Sequence, residues 1–121
     1  MSSLKMSARR SAARVRQLVV FRFNRVNPGR SVLTGTFRAR GIVNTGEVVV
    51  SQRPAAGSTA TPVVRYQIVN AATGLPVTNR LTVTGTRVAV LRFVLPPGNF
   101  RLRITNAGAG PVAVSGAVLV F

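Results

Sequence analysis

The chain has 121 residues, 46% of them apolar, and a net charge of +16 from 17 Lys and Arg against a single acid, Glu47. That length suits one domain with a real core, and the apolar content excludes a disordered polycation. Without Cys, His or Asp it cannot build a disulfide, a thiolate or imidazole metal site, a carboxylate pair or a Ser-His-Asp or Cys-His arrangement, so the sequence reads as a non-enzyme with no cofactor and no small-molecule substrate.

Residue usage points to strands. There are 21 Val, 11 Thr and 3 Ile against 9 Leu, 1 Glu and 1 Lys, a balance poor for helices and good for sheets. Neither GxGxxG nor GxxxxGK[ST] occurs. No apolar run reaches a membrane-spanning length, so no membrane span is expected. In the basic N-terminus the longest apolar run is Leu18–Phe21. That is too short for a signal-peptide core, so no ordinary secretory signal is expected.

Met1–Ala13 is small, polar and basic, without apolar periodicity, and reads as a flexible arm. Arg14–Phe23 alternates as a strand. Val15, Gln17, Val19, Phe21 and Phe23 share one face; Arg14, Arg16, Leu18, Val20 and Arg22 share the other. Eight of the basic residues fall in residues 1–30 and nine in the remaining 91, so the arm region is the most densely charged part.

Asn27-Pro28-Gly29 is a turn signal. Leu33–Arg40 follows as a second strand, with Gly35, Phe37 and Ala39 on one face and Thr34, Thr36, Arg38 and Arg40 on the other. Asn44-Thr45-Gly46 is expected to turn, and Glu47–Gln52 to form a short strand. Arg53–Pro62 reads as a surface loop. Val63–Val69 sets Val64, Tyr66 and Ile68 against Arg65 and Gln67. Asn70–Gly74 is a hairpin-like connection, with Leu75–Thr78 a candidate partner strand.

Arg80–Thr84 and Thr86–Leu95 come next. The second is apolar on both faces, which fits a central strand or one whose outer face meets a neighbour. Pro96-Pro97-Gly98-Asn99 turns the chain into Phe100–Thr105, where Phe100, Leu102 and Ile104 point in. Val112–Phe121 closes the chain, again apolar on both sides. Eight or nine strands joined by short turns make an all-β sandwich, with a jelly roll of about eight strands the best match in number. The expected organisation is an arm over residues 1–13 and one sandwich over 14–121.

The second half resembles the small jelly-roll subunits of bacterial endospore appendages. The resemblance rests on Asn70–Gly74, Leu81–Thr84, Val88–Val94, Phe100–Ile104 and the last strand from Ser115-Gly116 to Phe121. It implies a homopolymeric fibre on a spore surface or outside the cell. There the N-terminal segment would enter a neighbouring subunit, with Val15, Val19, Phe21 and Phe23 filling the acceptor groove. The better-known members cross-link through cysteines; without any, this chain would polymerise by strand addition and packing alone.

Two functions are therefore expected. The first is a structural protein that self-assembles as a homo-oligomer or homopolymer by β-augmentation, with Arg14–Phe23 pairing either in its own subunit or in the next. The alternative is a viral coat or other nucleic-acid-binding domain, located in a virion, whose arm neutralises DNA or RNA through Lys5, Arg9, Arg10, Arg14 and Arg16. Glu47 is expected to make a surface ion pair. Arg38, Arg65, Arg101 and Arg103 are expected on solvated faces.

Overall fold

The computed structural model describes residues 15–121; Lys5, Arg9, Arg10 and Arg14 lie outside them. The described residues form nine strands and no helix: β1 (Gln17–Val26), β2 (Ser31–Leu33), β3 (Phe37–Ala39), β4 (Asn44–Pro54), β5 (Val63–Asn70), β6 (Leu81–Thr84), β7 (Arg87–Leu95), β8 (Gly98–Asn106) and β9 (Val112–Val120). They make two antiparallel sheets. One has the order β1-β9-β4-β7; the other runs β2-β8-β5-β6, with β3 beside β2 along β8. Thus β1 pairs with β9, β2 and β3 with β8, β4 with β7, and β5 with β6. That is one long two-stranded ribbon folded over on itself, the winding of a jelly roll.

The core lies between the sheets and follows from the alternation of each strand. Phe37 has ring centroids 6.2 Å from both Phe93 and Phe100. Leu95, Leu102, Ile104 and Val118 pack in the same cluster. Four polar side chains, Thr34, Asn44, Gln52 and Asn106, are buried. No buried side-chain polar atom among the described residues lacks a partner. Asn106 Nδ2 donates to the carbonyls of Val26 (2.8 Å) and Gly110 (2.9 Å), tying the end of β1 to the loop before β9. Tyr66 donates from its hydroxyl to Gln52 Oε1 at 2.7 Å, and Gln52 Nε2 donates to the carbonyls of Val83 and Gly85. This network crosses from one sheet to the other.

Several local expectations are corrected. The first strand runs over Gln17–Val26 rather than 14–23, because β9 offers partners from Val120 to Val112. A register shift between Phe23 and Val26 brings Val26 into the core. Leu33–Arg40 is two short strands, not one. Thr34, expected on the outer face, is 1% exposed; its backbone N–H donates to the Leu102 carbonyl and its hydroxyl accepts from Leu102 N–H. That inward turn breaks the alternation. Asn44-Thr45-Gly46 begins β4 instead of turning. The turn lies just before it, where Asn44 Oδ1 accepts from Gly41 N–H and Nδ2 donates to the Gly41 carbonyl. Leu75–Thr78 contributes only a single bridge, Val69 to Pro76. β7 is an edge strand, not a central one. The Asn27–Arg30 turn forms as expected, with Gly29 at positive φ.

Two positions allow sharp tests. A Cβ on Gly116 would overlap the carbonyl oxygen of Val49 on the neighbouring strand and meet the Phe21 ring at 3.0 Å. Gly116→Ala should therefore cost about 3 kcal/mol, read as a fall in Tm of roughly 10 °C. Tyr66 is buried, and loss of solvent pushes its hydroxyl well above the ordinary tyrosine range. The unfolded chain releases this proton near pH 10 and the folded chain retains it. The contribution of Tyr66 is thus complete below about pH 10 and falls as pH rises beyond it. Tyr66 is the sole tyrosine and there is no Trp, so tyrosinate absorbance should appear together with unfolding rather than before it. Tyr66→Phe should remove this alkaline slope while costing about 1–2 kcal/mol at neutral pH, since Gln52 Oε1 loses its donor.

Candidate assembly and anion-binding surfaces

The outer faces of the two sheets differ in chemistry. On the four-stranded sheet the register lines Val20, Ala117, Val49 and Val90 into one row across all four strands. The row on one side is Leu18, Leu119, Glu47 and Arg92; on the other it is Arg22, Ser115, Ser51 and Val88. Alternate residues of the same strands, including Phe21, Val118, Val48 and Val50, fill the core. Period two therefore leaves the apolar set outside, with Val20 73% exposed and Val88 65% exposed. Large apolar side chains so placed form a contiguous patch, the kind of surface that marks an interaction site.

Among the described residues the two rims of this sheet pair with no further strand. β1 pairs on one side only, with β9, and β7 only with β4. Phe21 is buried and Phe23 packs half-buried against the core, their ring centroids 6.2 Å apart. Val19 packs there too, while Val15 precedes the strand and is exposed. β1 thus completes the sandwich of its own chain. At the opposite side β6 has only four residues. A cleft of about 570 Å³ opens there between β7 and the segment around Pro76–Leu81, floored by Tyr66, Ile68, Leu91 and Phe93.

The five-stranded sheet presents polar and basic groups. Ser31, Thr105, Arg65 and Thr82 form one row, and Leu33, Arg103 and Gln67 the next. Arg103 donates to Gln67 Oε1 at 2.7 Å, and Arg101 Nε donates to the Thr34 carbonyl at 2.7 Å. These bonds hold two guanidinium groups in place on a face that carries no acid. Glu47 lies on the other sheet, 3.3 Å from Arg92, in the one ion pair among the described residues.

A third feature sits where the ends of β1, β9 and β4 approach β3. Arg16, Arg38 and Arg40 line a cleft of about 380 Å³ with Gln17, Asn44 and Val120. Gln17 Oε1 accepts from Arg38 N–H at 3.2 Å, joining β1 to β3. Of the five basic residues expected to contact a nucleic acid, only Arg16 is among those described, and it belongs to this cleft. Arg38 and Arg40 come to it from a distant stretch, which sequence alone does not reveal. The apolar face had a sequence signal, since Leu18 and Val20 share a strand face with Arg16 and Arg22.

No protein-family model and no curated protein sequence matches the chain. Among solved structures the fold is similar to a chain in the structure of infectious bursal disease virus, Gt strain, with a TM-score of 0.50 and 12% identity over 88% of this chain and 33% of that one. A family 35 carbohydrate binding module from Clostridium thermocellum gives 0.48 and 14% over 87% of this chain and 98% of that one. A 4-O-methyl-alpha-glucuronidase with specificity for decorated arabinogalactans gives 0.48 and 13% over 91% and 17%. This chain thus spans about a third or less of the virus and glucuronidase chains. At these identities the likeness is one of fold. No helix among the described residues is long and apolar enough to cross a membrane.

The ion pair itself contributes little. Arg92 is 83% exposed and Glu47 28%, so Glu47→Gln should change the unfolding free energy by less than about 1 kcal/mol in a denaturant titration.

Proposed function

We propose that this chain is a structural protein that assembles with copies of itself, burying the apolar outer face of the β1-β9-β4-β7 sheet. The observation that carries the reading is the unbroken row Val20, Ala117, Val49, Val90, flanked by Leu18, Leu119 and Val88. Four strands about 4.8 Å apart and about 30 Å long present roughly 600 Å² per subunit, so a face-to-face pair buries roughly 1,200 Å², the lower bound of a stable specific interface. A second copy suits this face because both partners then offer the same flat apolar surface, with charge confined to the rows beside it. Sheets packed this way stack about 10 Å apart, as in the two layers of a sandwich.

The fibre form of the assembly rests on the resemblance to endospore appendage subunits. In it β1 is the linking element. An edge strand bonded to one neighbour can be exchanged between copies, because Phe21 and Phe23 fill the same core from either chain. Negative-stain microscopy and light scattering of the purified protein, free of nucleic acid, test the reading. The unmodified chain should form multimers. Val20→Glu with Val90→Glu should give monomers of unchanged circular dichroism, since both side chains are exposed in the single chain. A wild-type chain that stays monomeric at high concentration, or a double variant that assembles equally well, overturns it.

A second reading is favoured by the opposite face: a coat subunit that holds a polyanion against Arg65, Arg101 and Arg103. The fold likeness to the bursal disease virus chain accords with it. It expects nucleic acid to co-purify, with a high ratio of absorbance at 260 to 280 nm, and to dissociate as salt is raised.

A further inference from the structure

We propose that the cleft formed by Arg16, Arg38 and Arg40 is a phosphate-binding site, for a free phosphate group or a phosphate of a polynucleotide backbone. It extends the polyanion reading to a cleft at the rim of the two sheets: Arg16 lies on the strand face of Leu18 and Val20, and Arg38, opposite Asn99, lies on the outer face of the five-stranded sheet.

The neutral side chains of the cleft, Gln17 and Asn44, bond to the protein itself. Both amides are already committed. Gln17 Oε1 accepts from Arg38 N–H, and Gln17 Nε2 donates to the Arg16 carbonyl at 3.3 Å. Asn44 spends its oxygen on Gly41 N–H and its nitrogen on the carbonyls of Gly41 and Leu95. They act as scaffold. Gln17 fixes the backbone beside Arg16 to that of Arg38, and Asn44 fixes the turn that follows Arg40. The backbone N–H of Arg16 is bonded to the Val120 carbonyl at 2.6 Å, anchoring it to the end of β9. The cationic residues that line the cleft are Arg16, Arg38 and Arg40.

Among the described residues none of the three has an ion-pair partner within 4.0 Å. Among the described residues the Arg92–Glu47 pair is the one ion pair, and Glu47 is the chain's sole acidic side chain. Three like charges around one concavity repel one another and focus a positive field into it. A ligand carrying more than one negative charge relieves this. Guanidinium groups present paired N–H donors that match phosphate oxygens, and three of them can engage a tetrahedral group from different sides. A carboxylate is satisfied by a single fork and leaves the other two unanswered. The volume of about 380 Å³ lies within the range of small-ligand sites and admits a phosphate with its substituents.

The test uses the full chain and small probes, so that general attraction to a +16 protein is separated from the site. Inorganic phosphate and pyrophosphate are titrated at constant ionic strength, following the side-chain Nε–H signals of arginine by NMR. The Arg16, Arg38 and Arg40 signals should move together and saturate. Arg38→Gln with Arg40→Gln should weaken pyrophosphate binding by at least about tenfold. Arg25→Gln with Arg80→Gln removes the same charge elsewhere and should leave it within about twofold. A short oligothymidylate distinguishes the two sources. If the backbone phosphate is the ligand, the cleft variant lowers the salt dependence of its binding more than the control does. If only the free anion binds, the two variants bind the oligothymidylate alike while still differing toward pyrophosphate. Equal pyrophosphate affinity of the two double variants, or no saturable shift at the three arginines, overturns the proposal. Repeating the titration in the Val20→Glu, Val90→Glu background separates its failure from failure of the assembly reading, because a monomer retains the cleft.

Discussion

The structure depends on one pairing: strand β9 lying between β1 and β4, hydrogen-bonded to both. The last strand of the chain thereby meets the first, and the folded ribbon closes. The inner side chains of β9, Val112, Val114, Val118 and Val120, are buried at 2% or less and supply the centre of the core. At Gly116 the pairing becomes tight enough that a single methyl would collide with β4. Phe21 takes the space a side chain there would occupy. Because the contact joins residues about a hundred positions apart, the loop-closure entropy must be met before its reward is gained.

From that arrangement follows the difference between the two outer faces. Each strand has two sides, and the core takes one of them. On the five-stranded sheet the remaining side is hydroxyl, amide and guanidinium, the usual surface of a sandwich. On the four-stranded sheet its centre is the row Val20, Ala117, Val49 and Val90, with Leu18, Leu119 and Val88 beside Glu47, Arg92, Arg22 and two serines in the flanking rows. Leaving such a surface in water carries a free-energy cost that scales with its area, and β1 and β7 keep unpaired edges beside it. Charge is present on both sheets, with Arg22, Arg53 and Arg92 around the apolar row and Arg65, Arg101 and Arg103 on the other side. The apolar row and the hydrogen-bonded pair of guanidinium groups on Arg101 and Arg103 therefore lie on opposite sides of the sandwich.

Much of the fold was legible in the pattern of residues. The all-β class, the strands around Tyr66, Phe93 and Ile104, and the inward side of Phe100–Ile104 follow from period-two alternation and from β-branched content. Two of the expectations failed at single polar residues whose side chains bond the backbone. Thr34 turned inward because Leu102 offers it both a donor and an acceptor. Asn44 began a strand because its amide, not its backbone, makes the turn. The site was legible in part. Residues Leu18 and Val20 could be placed on the face opposite the two Phe, yet no alternation tells whether that face is covered. Arg16 was visible as one charge among many, while its companions Arg38 and Arg40 were visible only as members of another strand.

By itself the sequence determined that this is a cationic β-sandwich without Cys, His or Asp, because inventory and alternation are local properties of the chain. Only the tertiary structure decided which strands neighbour one another, that the apolar side of β7 is an outer face at a sheet edge, and that three arginines from β1 and the β3 region surround one cleft. Those are matters of which distant segments pair, and strand pairing is set by the joint burial of both sheets rather than by any stretch alone.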